Sequence, residues 1–451
     1  MSSYKNPYKF IKRRKIVAIK LYDSGAYVLN GREVIPDDQD ALKKLQKAVN
    51  GPVSKEKAKE GTIAYSVIQR HNQNADRRKL RIKFDSMTSH DITYVGIIQT
   101  ARASGMKKFP IPWVMTNCHN SLCAVGGTIN EDDHMFAYSA AKKYGGIFVP
   151  PNMAVIHSFN REMMSKCGNM ILGSDSHTRY GALGTMGVGE GGGELVKQLL
   201  GDTYDFDMPG VIAVYLTGKP QKGVGPQDVA LSIIGKVYQN AYVKNKVMEF
   251  IGDGIKNLNV EYRNGIDVMT TETACWSSIW RTDDQVRDYY DIHGRVKDYK
   301  KLDPADIAYY DGLVYVDLST IQPSIAVPFH PSNVYTIADF VANARDIMET
   351  IRKDAAKRFN NPNLNMNLTD KIKGGAVYVD QGVVAGCAGG TYDNIVDVAD
   401  IVDGRDIGSG AFKMSVYPAS QPEYLALVKN GSIAKLLSAG IITHPCFCGP
   451  C

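Results

Sequence analysis

Three cysteines, four histidines and three carboxylates stand where a chain of 451 residues could do chemistry with them. Cys448 and Cys451 close the chain in CGPC, and Gly449–Pro450 between them enforce a turn. Such a turn can set two sulfurs on one metal, and it also suits a redox dithiol of the thioredoxin kind. That dithiol belongs near the start of a small βαβ unit, whereas this pair stands at the far end of the sequence. Cys387, in GVVAGCAGGTYDN, follows an apolar run and lies in a Gly-rich turn. Three thiolates from strand-end turns fit an iron–sulfur cluster better than a structural zinc, which closes itself with four ligands. A cluster with one iron lacking a cysteine keeps a position open for substrate.

The histidines point to proton transfer. His90 (FDSMTSHDIT), His119 (PWVMTNCHNS), His157 (NMAVIHS) and His177 (ILGSDSHT) each follow an apolar run that reads as a strand. A single histidine there is often a core residue with its hydrogen bonds satisfied. Four strand-end histidines are what a site exchanging protons near neutrality requires. Asp175 and Ser176 directly precede His177, and Glu272 in DVMTTETAC offers a second carboxylate. The glycines of residues 184–193 invite a phosphate-loop reading, but the Gly-Lys-Ser/Thr ending is missing and the spacing does not match the dinucleotide fingerprint. They fit close packing of a helix behind the site.

Elements that could position these groups follow from the texture of the chain. Hydrophobic residues make up 44% and charged residues 22%, the balance of a globular protein and not of a disordered or fibrous one. Short apolar runs alternate with helical patterns such as DDHMFAYSAAKKYG and PQDVALSIIGKVYQ. That alternation predicts an α/β fold of three α/β domains with mainly parallel sheets, whose ligands sit at the carboxyl ends of strands. The expected divisions are a loosely packed N-terminal extension over 1–80, α/β domains over 81–210 and 211–326, and a third over 327–451 that carries the cysteines. DLSTIQPSIAVPFHPSNV, with three prolines, reads as a linker or extended crossing between the last two. The net charge of +6 permits an anionic substrate and does not demand nucleic acid. The basic run KFIKRRKIVAIK reads as a solvated face. No secretory leader and no apolar window of about 18 residues stand out, so we expect a cytoplasmic protein without a membrane span. In that compartment, clustered cysteines read as metal ligands or redox groups.

GSDSHT, AVIHS, Cys387 after its apolar run, and CGPC occur in an order that resembles the aconitase superfamily of iron–sulfur hydro-lyases, which includes aconitases, isopropylmalate dehydratases and homoaconitases. The resemblance runs from about residue 84 to the end and is nearest to a bacterial branch of aconitate-type hydratases. It implies a [4Fe–4S] cluster held by Cys387, Cys448 and Cys451, with the fourth iron acting on a hydroxy di- or tricarboxylate. It implies His157 paired with Asp175, His177 paired with Glu272, and His119 as a further catalytic histidine. His90, Asp91, Ser176 and Arg179 fall at substrate-contacting positions. Cys446 has no ligand counterpart and reads as a packed thiol.

The sequence also departs from that pattern. Aconitases carry Asp-His where Cys118-His119 stands here, so one histidine has lost its acid. Tyr180 and Val268 replace asparagines, and Gly386-Cys387-Ala388-Gly389 replaces Ser-Cys-Thr-Asn. These changes surround the substrate and put citrate in doubt. In the family, the terminal cysteine motif leads into a swivelling domain that brings the catalytic serine and several carboxylate-binding arginines. We expect that part to be a further domain or a separate small subunit. A cluster-dependent RNA-binding regulator and an inactive scaffold of the same fold are the alternatives; the modest charge and the retained histidines argue against RNA.

Overall fold

A computed structural model describes residues 19–49, 51–119 and 127–448. The fold is α/β with mostly parallel sheets. Its first sheet has five parallel strands in the order Ile147–Val149, Trp113–Thr116, Ser86–His90, Met170–Gly173, Met186–Gly189. The central strands are buried on both faces, as strands inside a parallel sheet generally are. Met87, Trp113, Met115, Met170 and Leu172 are fully buried there. From Ser86–His90 the chain winds to one side, returns through the helix Ile156–Met163, and continues on the other side from Met170–Gly173. A crevice opens at such a reversal, beyond the carboxyl ends of the two strands.

The second sheet runs Ile19–Tyr22, Gly312–Asp317, Val211–Thr217, Val247–Ile251, Ser277–Trp280, parallel except for its first strand. Val211, Ala213, Val247, Ile251 and Ile279 share one apolar core with Met87, Trp113 and Leu172 of the first sheet. The first unit and the second, divided at residue 210/211, thus pack as one body around a shared core.

Residues 19–82 are built into that body, unlike the loosely packed extension read from composition. Ile19–Tyr22 pairs antiparallel with Gly312–Asp317, and the hairpin Ala26–Leu29/Glu33–Pro36 pairs with Ile307–Tyr310. The helix Ile63–His71 buries Ile63, Ala64, Val67, Ile68 and His71, a spacing that makes one apolar stripe. Thr62 caps it, its hydroxyl accepting from the Tyr65 N–H at 3.1 Å. The buried Glu249 carboxylate accepts from the N–H groups of Ile63 and Ala64 at 3.1 and 2.8 Å and from the Tyr310 hydroxyl at 2.7 Å. The polar residues that suggested loose packing lie on the outer faces of these elements.

The stretch read as a linker is extended and hydrogen-bonded: Ser324–Ala326 pairs with Val334–Thr336. The helices Ile337–Ala342 and Ala344–Arg358 follow and pack on this hairpin. The last unit is a parallel three-stranded sheet, Gln381–Val384, Lys413–Val416, Ile442–Thr443, with its own core around Ile395, Val416, Leu427 and Leu436. Gly431, at φ 86, splits the helical run 421–438 into Gln421–Lys429 and Ser432–Ser438. This unit meets the first through backbone: Val155 N–H donates to the Ala419 carbonyl, and Gln421 N–H to that of Met153, both at 2.9 Å.

Candidate active site

The crevice at the chain reversal gathers the four histidines on one carboxylate. Asp175 lies just past Met170–Gly173, with its side chain 12% exposed. Its Oδ1 is 3.1 Å from His157 Nε2 and accepts the His177 backbone N–H at 2.7 Å. Its Oδ2 is 3.3 Å from His90 Nε2 and 3.4 Å from His119 Nε2. The rings of His90 and His119 lie 3.9 Å apart. His90 ends its strand and His119 follows the neighbouring one, as the apolar runs suggest. His157 instead sits in the first turn of the helix Ile156–Met163, because Val155, still extended, is the cap where that helix begins.

Close packing of glycine makes the Asp175 turn. A Cβ on Gly173 would fall 1.9 Å from Thr178 Oγ1, and one on Gly189 would fall 2.4 Å from the Asp175 carbonyl oxygen. The glycines past residue 184 thus let a strand, rather than a helix, press against the site turn.

Protonation follows from these contacts. Burial works against charge on Asp175, but the imidazoles of His157, His119 and His177 outweigh it and hold the carboxyl far below its usual range. Burial pushes His157 down to about 4, so the ring is neutral at pH 7. Its Nε2–H then faces Asp175 while Nδ1 accepts from the Tyr180 hydroxyl at 3.1 Å. His177 behaves oppositely. Burial lowers it, but hydrogen bonds to Asp175 and Glu272 win and raise it to about 9. Its Nε2 donates to Glu272 Oε1 at 3.1 Å, and that bond, against burial, keeps the Glu272 carboxyl below its usual value. The crevice therefore pairs a neutral imidazole with a protonated one across a single carboxylate.

Replacing Glu272 by Gln should lower the His177 titration from about 9 toward 6.5. Imidazole NMR titration of the protein without cofactor reads this directly; an unmoved His177 would mean that Asp175 alone sets its charge. The His177 proton contributes stability that is complete below pH 6.5 and lost as pH rises through about 9. The Gln variant should lose that dependence in proportion.

Asp91 organises the second layer. Its Oδ1 accepts backbone N–H groups of Cys118 and His119 at 3.3 and 2.9 Å, and its Oδ2 lies 3.2 Å from His134 Nε2. His90, Asp91 and His119 each bring a possible metal-ligating atom within 4.8 Å of the others. Burial pushes the Cys118 thiol well up, so it stays neutral, and Asp175 is the carboxylate that faces His119.

Of the remaining predicted residues, Ser176 is exposed at the crevice, with Oγ 3.4 Å from His177 Nδ1. Arg179 does not join the group. It is 3% exposed, and its guanidinium donates to the carbonyls of Thr178 and Cys275 at 2.9 and 3.1 Å. Two histidines were missed. His134 lies on the helix Thr128–Tyr144, and His330 stands 4.0 Å from Glu272 Oε2 and stacks on Tyr238. His134 lies inside a helix, and His330 lies in the turn of the Ser324–Ala326/Val334–Thr336 hairpin, a stretch that reads as a linker in sequence.

Cys387 and Cys448 share a small buried apolar group with Cys118, Val155, Ile156 and Val268. The Cys448 N–H donates to the Cys118 carbonyl at 2.9 Å, so Cys448 lies against the turn that carries His119. Cys451 lies outside the described residues. Cys446 is buried, with its backbone bridged to Asn152. Two buried thiols on separate turns, in one apolar group beside the turn of His119, are donors of the kind an iron–sulfur cluster takes.

The model of the aconitase family (aconitate hydratase) matches residues 65–451. The chain is 30% identical over 285 residues to the 3-isopropylmalate dehydratase large subunit of Lachnoclostridium phytofermentans, covering 63% of this chain and 59% of that one. It thus spans less than two thirds of that relative's length. The 3-isopropylmalate dehydratase large subunit of Clostridium botulinum is 29% identical over 381 residues, 82% of this chain and 81% of the relative. Large subunit 2 of Archaeoglobus fulgidus is 28% identical over 323 residues, 71% and 69% respectively. A family match over most of the sequence, with a parallel α/β fold, makes this chain a member of the aconitase family.

Proposed function

We propose that the chain is the cluster-bearing part of a hydro-lyase that reversibly removes water from a hydroxy di- or tricarboxylate. The gathering of His90, His119, His157 and His177 on Asp175, beside the cysteine pocket, carries this reading. Cys387, Cys448 and Cys451 would hold a [4Fe–4S] cluster, which when bound supplies Lewis-acid polarisation of a substrate hydroxyl. His177, protonated at neutral pH, donates the proton that turns the departing hydroxyl into water. Neutral His157 and the neighbouring His119 ring, both aligned by Asp175, hold that hydroxyl in place. Asp91 keeps the His119 backbone fixed, while His90 and Ser176 contact the substrate. Thiols that must stay reduced suit the cytoplasm. Among the described residues no helix is long and apolar enough to cross a membrane.

Substrate carboxylates need cations, and the arginines near this crevice are engaged elsewhere. Arg179 is turned to backbone carbonyls, and Arg161 donates to the carbonyls of Cys387 and Asn264. We therefore assign the carboxylate-binding arginines, and the base that takes the carbon-bound proton, to a swivelling domain or small subunit. Relatives named as large subunits support a second polypeptide.

The test is an anaerobic assay of cluster-loaded protein against citrate, isocitrate, aconitate and isopropylmalate, with and without a candidate small subunit. Turnover only in the combined sample is expected. Turnover by the chain alone would place the base within it, and no turnover of any hydroxy acid by the combined, loaded sample would end the hydro-lyase reading.

A further inference from the structure

Cys387 sits in a single helical turn, Gly386–Gly389, too short to satisfy its own last carbonyls. Side chains from three units do so instead. Arg161, 3% exposed on the first unit's helix Ile156–Met163, donates from Nη1 to the Cys387 carbonyl at 2.7 Å. Gln227, in the first turn of the second unit's helix Pro226–Val237, donates from Nε2 to the Ala388 carbonyl at 2.6 Å. Asn394, in the helix Tyr392–Val402 that follows, donates to the same carbonyl at 2.9 Å. Gly390 closes the turn from below, since a Cβ there would meet the Tyr417 carbonyl at 2.3 Å.

Arg161 is an expensive way to fill this position. Its Nε is buried without a partner, and with Glu162, Glu261 and Glu423 it lines one small cavity of about 10 Å³. Burying a guanidinium is costly; an apolar residue would spare that cost but would leave the carboxyls of Glu162, Glu261 and Glu423 without their neighbouring cation. What an apolar residue could not do is donate to the Cys387 carbonyl. Arginine's planar fork reaches that carbonyl and, at 3.4 Å, the Asn264 carbonyl together, tying the cysteine turn to the helix Val260–Val268.

We propose that Arg161 and Gln227 are positioning residues for Cys387, fixing its turn where three units meet and so setting how firmly a cluster is retained. This rests on the cluster reading above. Partners outside the ligand shell of a metal site typically contribute 10–100-fold to metal affinity.

The test uses whole protein reconstituted anaerobically with iron and sulfide. The readouts are iron release to a ferrous chelator and the EPR signal of the reduced cluster. Gln227→Ala and Arg161→Lys should release iron on the order of 10-fold faster than wild type, and Arg161→Ala faster still. The melting midpoint of cluster-free Gln227→Ala should match wild type. Arg161→Lys, which keeps one charge and one donor, should recover part of the Arg161→Ala loss. Wild-type release rates and spectra in both Gln227→Ala and Arg161→Lys would overturn the proposal. So would fast release in Arg161→Ala alone, accompanied by an equal loss of cluster-free stability, which is a purely structural effect. A wild-type protein that takes up no cluster at all would instead sink the cluster reading, and with it the premise of this one.

Discussion

Asp175→Asn is expected to cut turnover of the combined enzyme on the order of 10³-fold, more than loss of any single histidine around it. The carboxylate faces Nε2 of His157 at Oδ1 and Nε2 of His90 and His119 at Oδ2. An amide has one donor end. However it is turned, at least one imidazole meets an N–H where it needs an acceptor, and must swing away or change tautomer. The amide also withdraws the negative charge that helps keep His177 protonated, so the His177 titration should fall from about 9. Activity, imidazole titration and unfolding are read on the same variant. A variant that stays folded and active, with His177 unmoved, would show that the gathering of imidazoles on Asp175 is incidental to chemistry.

Cys387→Ser should abolish the visible absorption of reconstituted protein and all turnover with it. A serine hydroxyl does not ionise near neutrality, so a ligand that must be an anion is lost. Cys446→Ser is the matched control. Cys446 is as buried as Cys387, yet its backbone is bridged to Asn152 and its thiol is assigned no ligand role. That variant should load a full complement of iron and sulfide. If Cys387→Ser loads as well as wild type while Cys446→Ser does not, the two thiols have exchanged roles.

How far the sequence could be read depended on how local the physics was. His90, His119 and His177 were legible because an apolar run followed by a polar residue marks a strand end, and strand ends in one parallel sheet face one crevice. His157 reached that crevice by another route. Its apolar run is a loop entering a helix, which a run of that length cannot distinguish from a strand. Arg179 shows the limit of adjacency. Two residues from His177, it turns inward because the chain has by then left the crevice for the core. Arg161 gave no signal, since its partner lies in Cys387, far along the chain. The N-terminal segment was misjudged by composition. Its buried apolar residues fall in runs as short as Ala26–Leu29, Ile63–Ala64 and Val67–Ile68, and part of what they pack against arrives only with the strands of the second sheet.

That arrangement has a consequence for synthesis. Ile19–Tyr22 is translated early, yet its register partners are Leu313 to Val316, on a later strand of the second sheet. At roughly 5–20 residues per second, the ribosome leaves this strand without its partner for about 15–60 s. The first sheet has no such delay, because its strands all fall within residues 86–189 and can close while the rest is being made. The nascent chain therefore carries an exposed strand edge through most of its production, and such an edge invites pairing with another chain. Chaperones that shelter early segments on the ribosome should raise the yield of native protein. A circular permutant beginning near residue 81, with the N-terminal segment appended at the end, should depend on them less.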